Sequence, residues 1–235
     1  MAPSLLLLLF FCTCASASAT LFTLRNACPY TIWGGTLSGN SPPTAADAAL
    51  LLPPGMHLNL TRTPGWSGRF WGRTACAFDA SGAGKCATGD CGGVLTCLGG
   101  GEPPVTLAEF TLASDGAGED FYDVSLVDGY NVGMSVDATA AGGGGGECRP
   151  AGCVTDLNAI CPAELQVRGS QNGEVVACRN ACNAFNAPEF CCTDDHGTPE
   201  TCPPTRYSSI FKQACPTAYS YAYDDATSTR TCSKS

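Results

Sequence analysis

The chain has 235 residues, a formal net charge of −9 and 17 cysteines. That length can bury a real core, as one large domain or two to three small ones. The acidic balance excludes nucleic acid, whose phosphates demand a Lys/Arg footprint, and otherwise speaks for solubility. Leu5 to Phe11 is an unbroken apolar run, followed by small residues to Ala19. It reads as a signal peptide over residues 1–18, cleaved near residues 17–19, although Met1 to Ser4 contain no Lys or Arg. The run is too short to span a bilayer, and no later stretch predicts a transmembrane segment. The expectation is a secreted, extracellular protein.

Thr20 to Arg25 alternates and predicts a half-buried strand; Tyr30 to Trp33 predicts a second. Gly34 to Pro54 is Gly, Ser, Pro and Ala, which predicts mostly loop. Met56 to Thr61 alternates strictly, with Met56, Leu58 and Leu60 inward and His57, Asn59 and Thr61 outward. Asn59-Leu60-Thr61 is also a glycosylation sequon, and its parity puts Asn59 where a glycan has room. An occupied site and a chance match stay equally open.

Gly68 to Thr74 predicts the next strand, with Arg69, Trp71 and Arg73 on one face. Gly82 to Cys97 packs three cysteines and five glycines into one stretch, a composition no packed helix would choose. It reads as tight loops tied by sulfur, with Gly where φ is positive or backbones come close. Val105 to Leu112 is a strand with Val105, Leu107 and Glu109 on one side. Phe121 to Val127 is another, followed by the turn Asp128-Gly129 and Tyr130 to Val136 as its hairpin partner.

Ala138 to Gly146 is a Gly-rich loop. Beyond Cys148 the spacing of Val175, Cys178, Cys182 and Phe185 predicts a helix that Pro188 stops. Tyr207, Ile210 and Phe211 predict a second short helix, and Tyr219 to Tyr223 a β-like run. The lobe is too thin to hold without sulfur. The expected organisation is mainly β: a body of residues 19–74, 105–147 and 216–235, a small disulfide loop domain over 75–104, and a disulfide-rich lobe of short helices and loops over 148–215.

Removal of Cys12 and Cys14 with the signal peptide leaves 15 cysteines, which in a secreted chain read as disulfides. Zinc is the competing reading. Structural zinc favours C-x₂-C pairs or His partners, and this chain has no C-x₂-C and only His57 and His196. No metal or cofactor is expected. The odd count leaves at least one cysteine without a partner in the chain. H-E-x-x-H, G-x-S-x-G and a phosphate-binding Gly loop are all absent. Oxidised cysteines supply no thiolate. Carboxylates remain: two can cleave a glycosidic bond, one as acid and one as base or nucleophile. The 21 acidic residues offer many chance pairs.

Gly82-x-Gly84-x-Cys86-x-Thr88-Gly89-Asp90-Cys91, followed by Gly92-Gly93 and Cys97, resembles the signature of the thaumatin-like proteins, a plant pathogenesis-related family. Further blocks are similar and in family order. They are Asn26-x-Cys28-Pro29-Tyr30-Thr31-x-Trp33, Trp71-Gly72-Arg73-Thr74-x-Cys76, Pro103-Pro104-x-Thr106 to Phe110, Asp123-x-Ser125 to Asn131, Cys191-Cys192 and Cys215-Pro216-x-Ala218 to Tyr221. The resemblance covers essentially all of the chain after residue 18. It implies a β-sandwich body, a disulfide-rich lobe with short helices, and a cleft between them. It also implies the bridges Cys76–Cys86, Cys91–Cys97, Cys148–Cys232, Cys153–Cys215, Cys161–Cys178, Cys182–Cys191 and Cys192–Cys202, leaving Cys28 unpaired. Family members finish with a strand of the type Asn-Tyr-x-Val-x-Phe-Cys-Pro, whose Cys ties back to the first strand. This sequence stops at Cys232-Ser233-Lys234-Ser235. A truncated or spliced product and a short form with a free Cys28 thiol are both compatible with that. A monomer is expected unless Cys28 pairs between chains.

The family's cleft carries one Arg, one Glu and three Asp. By resemblance these are Arg69, Glu109, Asp123, Asp128 and one of Asp224 and Asp225, which spacing does not separate. Asp123 and Asp128 would lie on opposite faces of a continuous strand, and Gly129 lets the turn rotate Asp128 back. The bland reading is solvated charges with a surface Arg–Glu pair worth little. The resemblance implies a secreted, apoplastic, antifungal protein whose cleft binds β-1,3-glucan or another target on the fungal cell surface. A weak endo-β-1,3-glucanase is the first alternative, with Glu109 as acid and Asp123 or Asp128 as base or nucleophile. A non-catalytic inhibitor or structural wall protein is the second.

Overall fold

A computed structural model describes residues 19–44, 47–48, 50–114, 118–139, 148–170 and 172–233. The signal-peptide reading over residues 1–18 and most of the Gly-rich loop at 138–146 lie outside the described residues. The strands run in chain order as β1 (Thr20–Arg25), β2 (Ile32–Ser38), β3 (Leu50–Leu52), β4 (His57–Arg62) and β5 (Ser67–Thr74). The short β6 (Ala77–Phe78) and β7 (Gly84–Lys85) follow, then β8 (Leu107–Thr111), β9 (Glu119–Ser125), β10 (Met134–Val136) and β11 (Ala151–Cys153). The last part holds β12 (Gln166–Arg168), β13 (Val175–Cys178), α1 (Ala181–Phe185), α2 (Pro188–Cys191), α3 (Arg206–Ala214), α4 (Asp225–Ser228) and β14 (Arg230–Ser233).

One six-stranded antiparallel sheet, ordered β14-β9-β8-β5-β2-β3, forms the frame. Its pleat divides the side chains of β5, β8 and β9. Phe70, Ala108 and Val124 lie opposite one another on one face, and Arg69, Glu109 and Asp123 on the other. The first face is the core. The β1–β4 ribbon covers half of it, and Phe22 meets Trp66, Phe70 and Phe110 with ring centroids 4.8–5.7 Å apart. The β10–β11 ribbon covers the rest, in a core that runs on through Leu157, Leu165, Tyr207 and Phe211 into the helical part. Between the two ribbons lies a groove of ≈ 420 Å³ lined by consecutive residues of β1 and by Met134 to Thr139. Consecutive lining means that strand edges, not one side-chain face, border it.

Several elements differ from the sequence reading, each for a tertiary reason. β2 runs on through the Gly-rich segment because Gly35 makes room for Trp71: a Cβ there would sit 2.1 Å from the indole. Tyr130 to Val136 does not pair with β9, whose two sides are taken by β8 and β14. Tyr130 instead exchanges backbone hydrogen bonds of 2.8 and 2.7 Å with Cys178, and β10 pairs with β11. The helix read over Val175 to Phe185 is a strand followed by a helix. β13 pairs with β12, and Asn180 then caps α1 by accepting from Asn183 N at 2.6 Å. Pro188 stops nothing; it opens α2 in the first turn, where its missing N–H costs little. The run at Tyr219 to Tyr223 reduces to one parallel bridge, Tyr219 to Ser125. Met56 is 54% exposed, because it precedes β4 rather than joining it.

Among the described residues seven disulfides staple the chain. Cys76–Cys86 and Cys91–Cys97 close the loop segment, and Cys161–Cys178, Cys182–Cys191 and Cys192–Cys202 lie within the helical part. Cys148–Cys232 and Cys153–Cys215 join distant segments. Cys28 has no disulfide partner among the described residues and lines the groove. Asn59 is exposed on β4 and its Oδ1 accepts from Thr23 Oγ1 at 2.9 Å.

Candidate functional site

The outward face of β5 carries three large side chains, and the loop segment decides which stays open. Trp71 is 2% exposed, and its Nε1 donates to Gly89 O at 3.0 Å. Arg73 is 1% exposed, and its guanidinium donates to the carbonyls of Gly34, Val94 and Leu95 at 2.8–3.1 Å. Only Arg69 reaches solvent. The loop passes close to it: a Cβ at Gly100 would lie 2.9 Å from Arg69 Nη2, so glycine keeps the guanidinium clear.

Antiparallel register then assembles a row. Arg69 lies directly opposite Glu109, and Glu109 directly opposite Asp123. Opposed side chains of this kind have Cβ atoms about 4.5–5.5 Å apart. Arg69 Nη1 and Glu109 Oε1 are 3.9 Å apart, with the side chains 33% and 39% exposed. That is a loose, solvated pair, open to a competing partner.

Asp128 reaches the same face through the turn after β9. Gly129 N donates to Leu126 O at 2.9 Å, and Gly129 itself has φ 92°. A Cβ there would also meet Cys178 O at 2.7 Å, so both the conformation and the space demand glycine. The turn brings the Asp128 charge near Arg69 and Glu109.

The adjacent acids of the C-terminal segment part company. Asp224 Oδ2 accepts from Ser220 N, Ser220 Oγ and Lys212 Nζ, each at 2.9 Å, and Oδ1 accepts from Thr227 at 3.2 Å. That carboxylate is committed to holding its own loop. Asp225 accepts from Tyr219 OH at 2.9 Å and lies close enough to act on Asp123. Of the two, Asp225 joins the row. Lys212, Tyr219 and Gly100 escaped the sequence reading. The signals for them were a lone Lys on the predicted second helix, a Tyr inside a family block and a triple-Gly run.

The electrostatics follow from one cation among several acids. Burial raises Glu109; Arg69 opposes the shift and Asp128 adds to it. Burial also raises Asp128, and Arg69 opposes that. Among the described residues no cation acts on Asp123. Burial, then Glu109, then Asp225 push it up to about 7. Its Oδ2 is buried and has no hydrogen-bond partner among the described residues. Burial likewise pushes the Tyr219 hydroxyl up to about 12, with Asp225 adding to the effect and Thr229 opposing it. Next to Asp128 a pocket of ≈ 140 Å³ is lined by Asn180, Phe190, Ser220 and Tyr221. Among the described residues no group of three His, Cys, Asp or Glu could hold a metal ion, and no helix is long and apolar enough to cross a membrane.

Residues 26–235 match the model of the thaumatin family. The pathogenesis-related thaumatin-like protein 3.5 of Cryptomeria japonica is 59% identical over 231 residues, which is 98% of this chain and 92% of that protein. Pathogenesis-related protein 5 of Arabidopsis thaliana is 59% identical over 97% of this chain and 92% of its own length. A protein of Prunus avium named glucan endo-1,3-beta-glucosidase is 50% identical over 92% of this chain and 87% of its own length.

Proposed function

The chain belongs to the thaumatin family, and on that premise we propose that it is a secreted plant defence protein whose acidic cleft binds β-1,3-glucan of the fungal wall. The observation that carries this reading is the cross-strand row Arg69, Glu109, Asp123 on the open sheet face, flanked by Asp128 and Asp225. Sugar hydroxyls both donate and accept. Carboxylates accept from them, and a guanidinium donates in a fixed fork. Phe190 and Tyr221, lining the pocket beside Asp128, offer apolar faces on which a sugar ring can stack. Two relatives named pathogenesis-related support the defence role.

A second reading, weak endo-β-1,3-glucanase, is favoured by two carboxyl side chains directly opposed on adjacent strands and by the name of the Prunus avium relative. One experiment separates the readings: laminarin pull-down and reducing-sugar release, with Glu109→Ala alongside. Capture without release supports the binder. Release abolished by Glu109→Ala supports the enzyme. Neither capture nor release overturns both and leaves an inhibitor or structural wall protein.

A further inference from the structure

We propose that Asp123 meets its ligand as a neutral carboxylic acid, sharing one proton with Glu109, so that the cleft holds a neutral sugar when protonated and releases it when that proton leaves. The proposal rests on the glucan-binding reading for the identity of its ligand and on the sheet for everything else.

Three geometric facts carry it. First, Glu109 and Asp123 are cross-strand neighbours, and like charges directly opposite repel. Second, the nearby cations stand against other acids, not against Asp123. Arg69 sits against Glu109 at 3.9 Å, and Lys212 against Asp224 at 2.9 Å. Third, Asp123 Oδ2 is buried without a donor. An ionised oxygen in that position forfeits its hydration with nothing in exchange, whereas in a neutral carboxyl it is an uncharged carbonyl oxygen, which burial penalises less, and the proton sits on Oδ1.

The groups that face Asp123 agree. From β5 comes Arg69, from β8 Glu109 and from the turn after β9 Asp128, whose charge acts on Glu109. From α4 comes Asp225, and from the segment before it the Tyr219 hydroxyl, which bonds Asp225 and Thr229. Among the described residues the cation set against these acids is Arg69, and it stands nearer Glu109. The proton therefore resides chiefly on Asp123. In the complex the Oδ1–H, on the oxygen that is not buried, donates to a sugar oxygen, while the Glu109 carboxylate accepts from a sugar hydroxyl. Loss of the proton puts a second anion in the row and removes the donor.

Laminarin affinity is measured from about pH 5 to about pH 9 for the wild type and for Asp123→Asn, whose amide donates at every pH. The wild type is expected to lose affinity about tenfold or more as pH rises through about 7, and the Asn variant to stay within about twofold across the range. A flat wild-type profile, or an Asn variant that follows the wild type, overturns the proposal. Without ligand, ¹³C-carboxyl titration followed by NMR is expected to show Asp123 titrating near 7, with a linked step at Glu109. Asp123 titrating in the ordinary carboxylate range overturns the shared proton. If the wild type binds no laminarin at any pH, the glucan reading fails, and the carboxyl titration still decides the state of Asp123.

Discussion

Asp123 and Arg73 show how single side chains can work in opposite directions. Asp123 is raised from 3.8 to about 7 on folding. Below 3.8 both folded and unfolded chains hold its proton, and the residue is neutral to stability. As pH rises from there to about 7, the unfolded chain gives up a proton that the folded chain retains, so stability falls. Above about 7 the whole deficit is present. Asp123→Asn is therefore expected to leave the melting temperature unchanged near pH 3 and to stabilise the protein by ~1–3 kcal/mol near pH 8; parallel thermal melts at the two pH values check it. Arg73, buried and donating to Gly34, Val94 and Leu95 carbonyls, ties the loop segment to β2. Lys cannot span those three acceptors, so Arg73→Lys is expected to cost about 2–4 kcal/mol in denaturant unfolding. Strand parity in the sequence places Arg69 and Glu109 on strands, and the family resemblance gathers them with Asp123. It cannot show that Glu109 faces Asp123, because register depends on how β8 turns into β9. Nor can it separate Asp224 from Asp225, since Lys212 and Ser220, distant in sequence from neither, decide that through contacts only the fold creates.

α3 is the element that sets the C-terminal flank of the row. It starts with a reciprocal cap: Thr205 Oγ1 accepts from Ser208 N at 3.3 Å, and Ser208 Oγ accepts from Thr205 N at 2.8 Å. Tyr207 and Phe211 bury one side of the helix in the core. On the other side Lys212 Nζ donates to Ala218 O at 3.1 Å and Ser228 Oγ at 2.9 Å as well as meeting Asp224. The helix thus positions α4, and with it Asp225, while its own Tyr207, Ser208 and Phe211 line the pocket beside Asp128. Thr205→Ala is expected to cost about 1 kcal/mol. Lys212→Met is expected to weaken laminarin binding several-fold with a small change in melting temperature; unaltered binding would show that α4 holds its place without the lysine. The spacing of Tyr207, Ile210 and Phe211 made this helix legible. Similar spacing misled at Val175 to Phe185, because a disulfide to Cys161 and a ladder to β12 hold Val175–Cys178 extended. Short elements pinned by sulfur answer to their pins before their propensities.

At the scale of the molecule, the disulfides do two different jobs. Those within the loop segment and the helical part close short spans, such as the 6 residues of Cys91–Cys97. Cys148–Cys232 and Cys153–Cys215 span 84 and 62 residues; the first ties the segment before β11 to β14 of the sheet, and the second ties β11 to the end of α3. In the chain-entropy model, closing loops of that length contributes about 4–5 kcal/mol each, against a shorter loop's smaller share. The cysteine count made a sulfur-held lobe legible, but not that one bridge would fasten a strand. Cys232 sits in the middle of β14, a four-residue edge strand that among the described residues pairs only with β9. So short an edge has little of its own to hold it. Replacing Cys148 and Cys232 together by Ser is therefore expected to lower stability by about 2–5 kcal/mol. Hydrogen exchange should show where the loss falls. Amides linking β14 to β9 lose protection first, while those linking β9 to β8 keep theirs, because the Ala108–Val124 core beneath them is untouched. Uniform loss across all six strands would mean that the bridge supports the sheet as a whole rather than its edge. Replacing Cys91 and Cys97 should instead leave sheet protection in place and loosen the loop that shelters Trp71 and borders Arg69, so glucan affinity should fall further than stability.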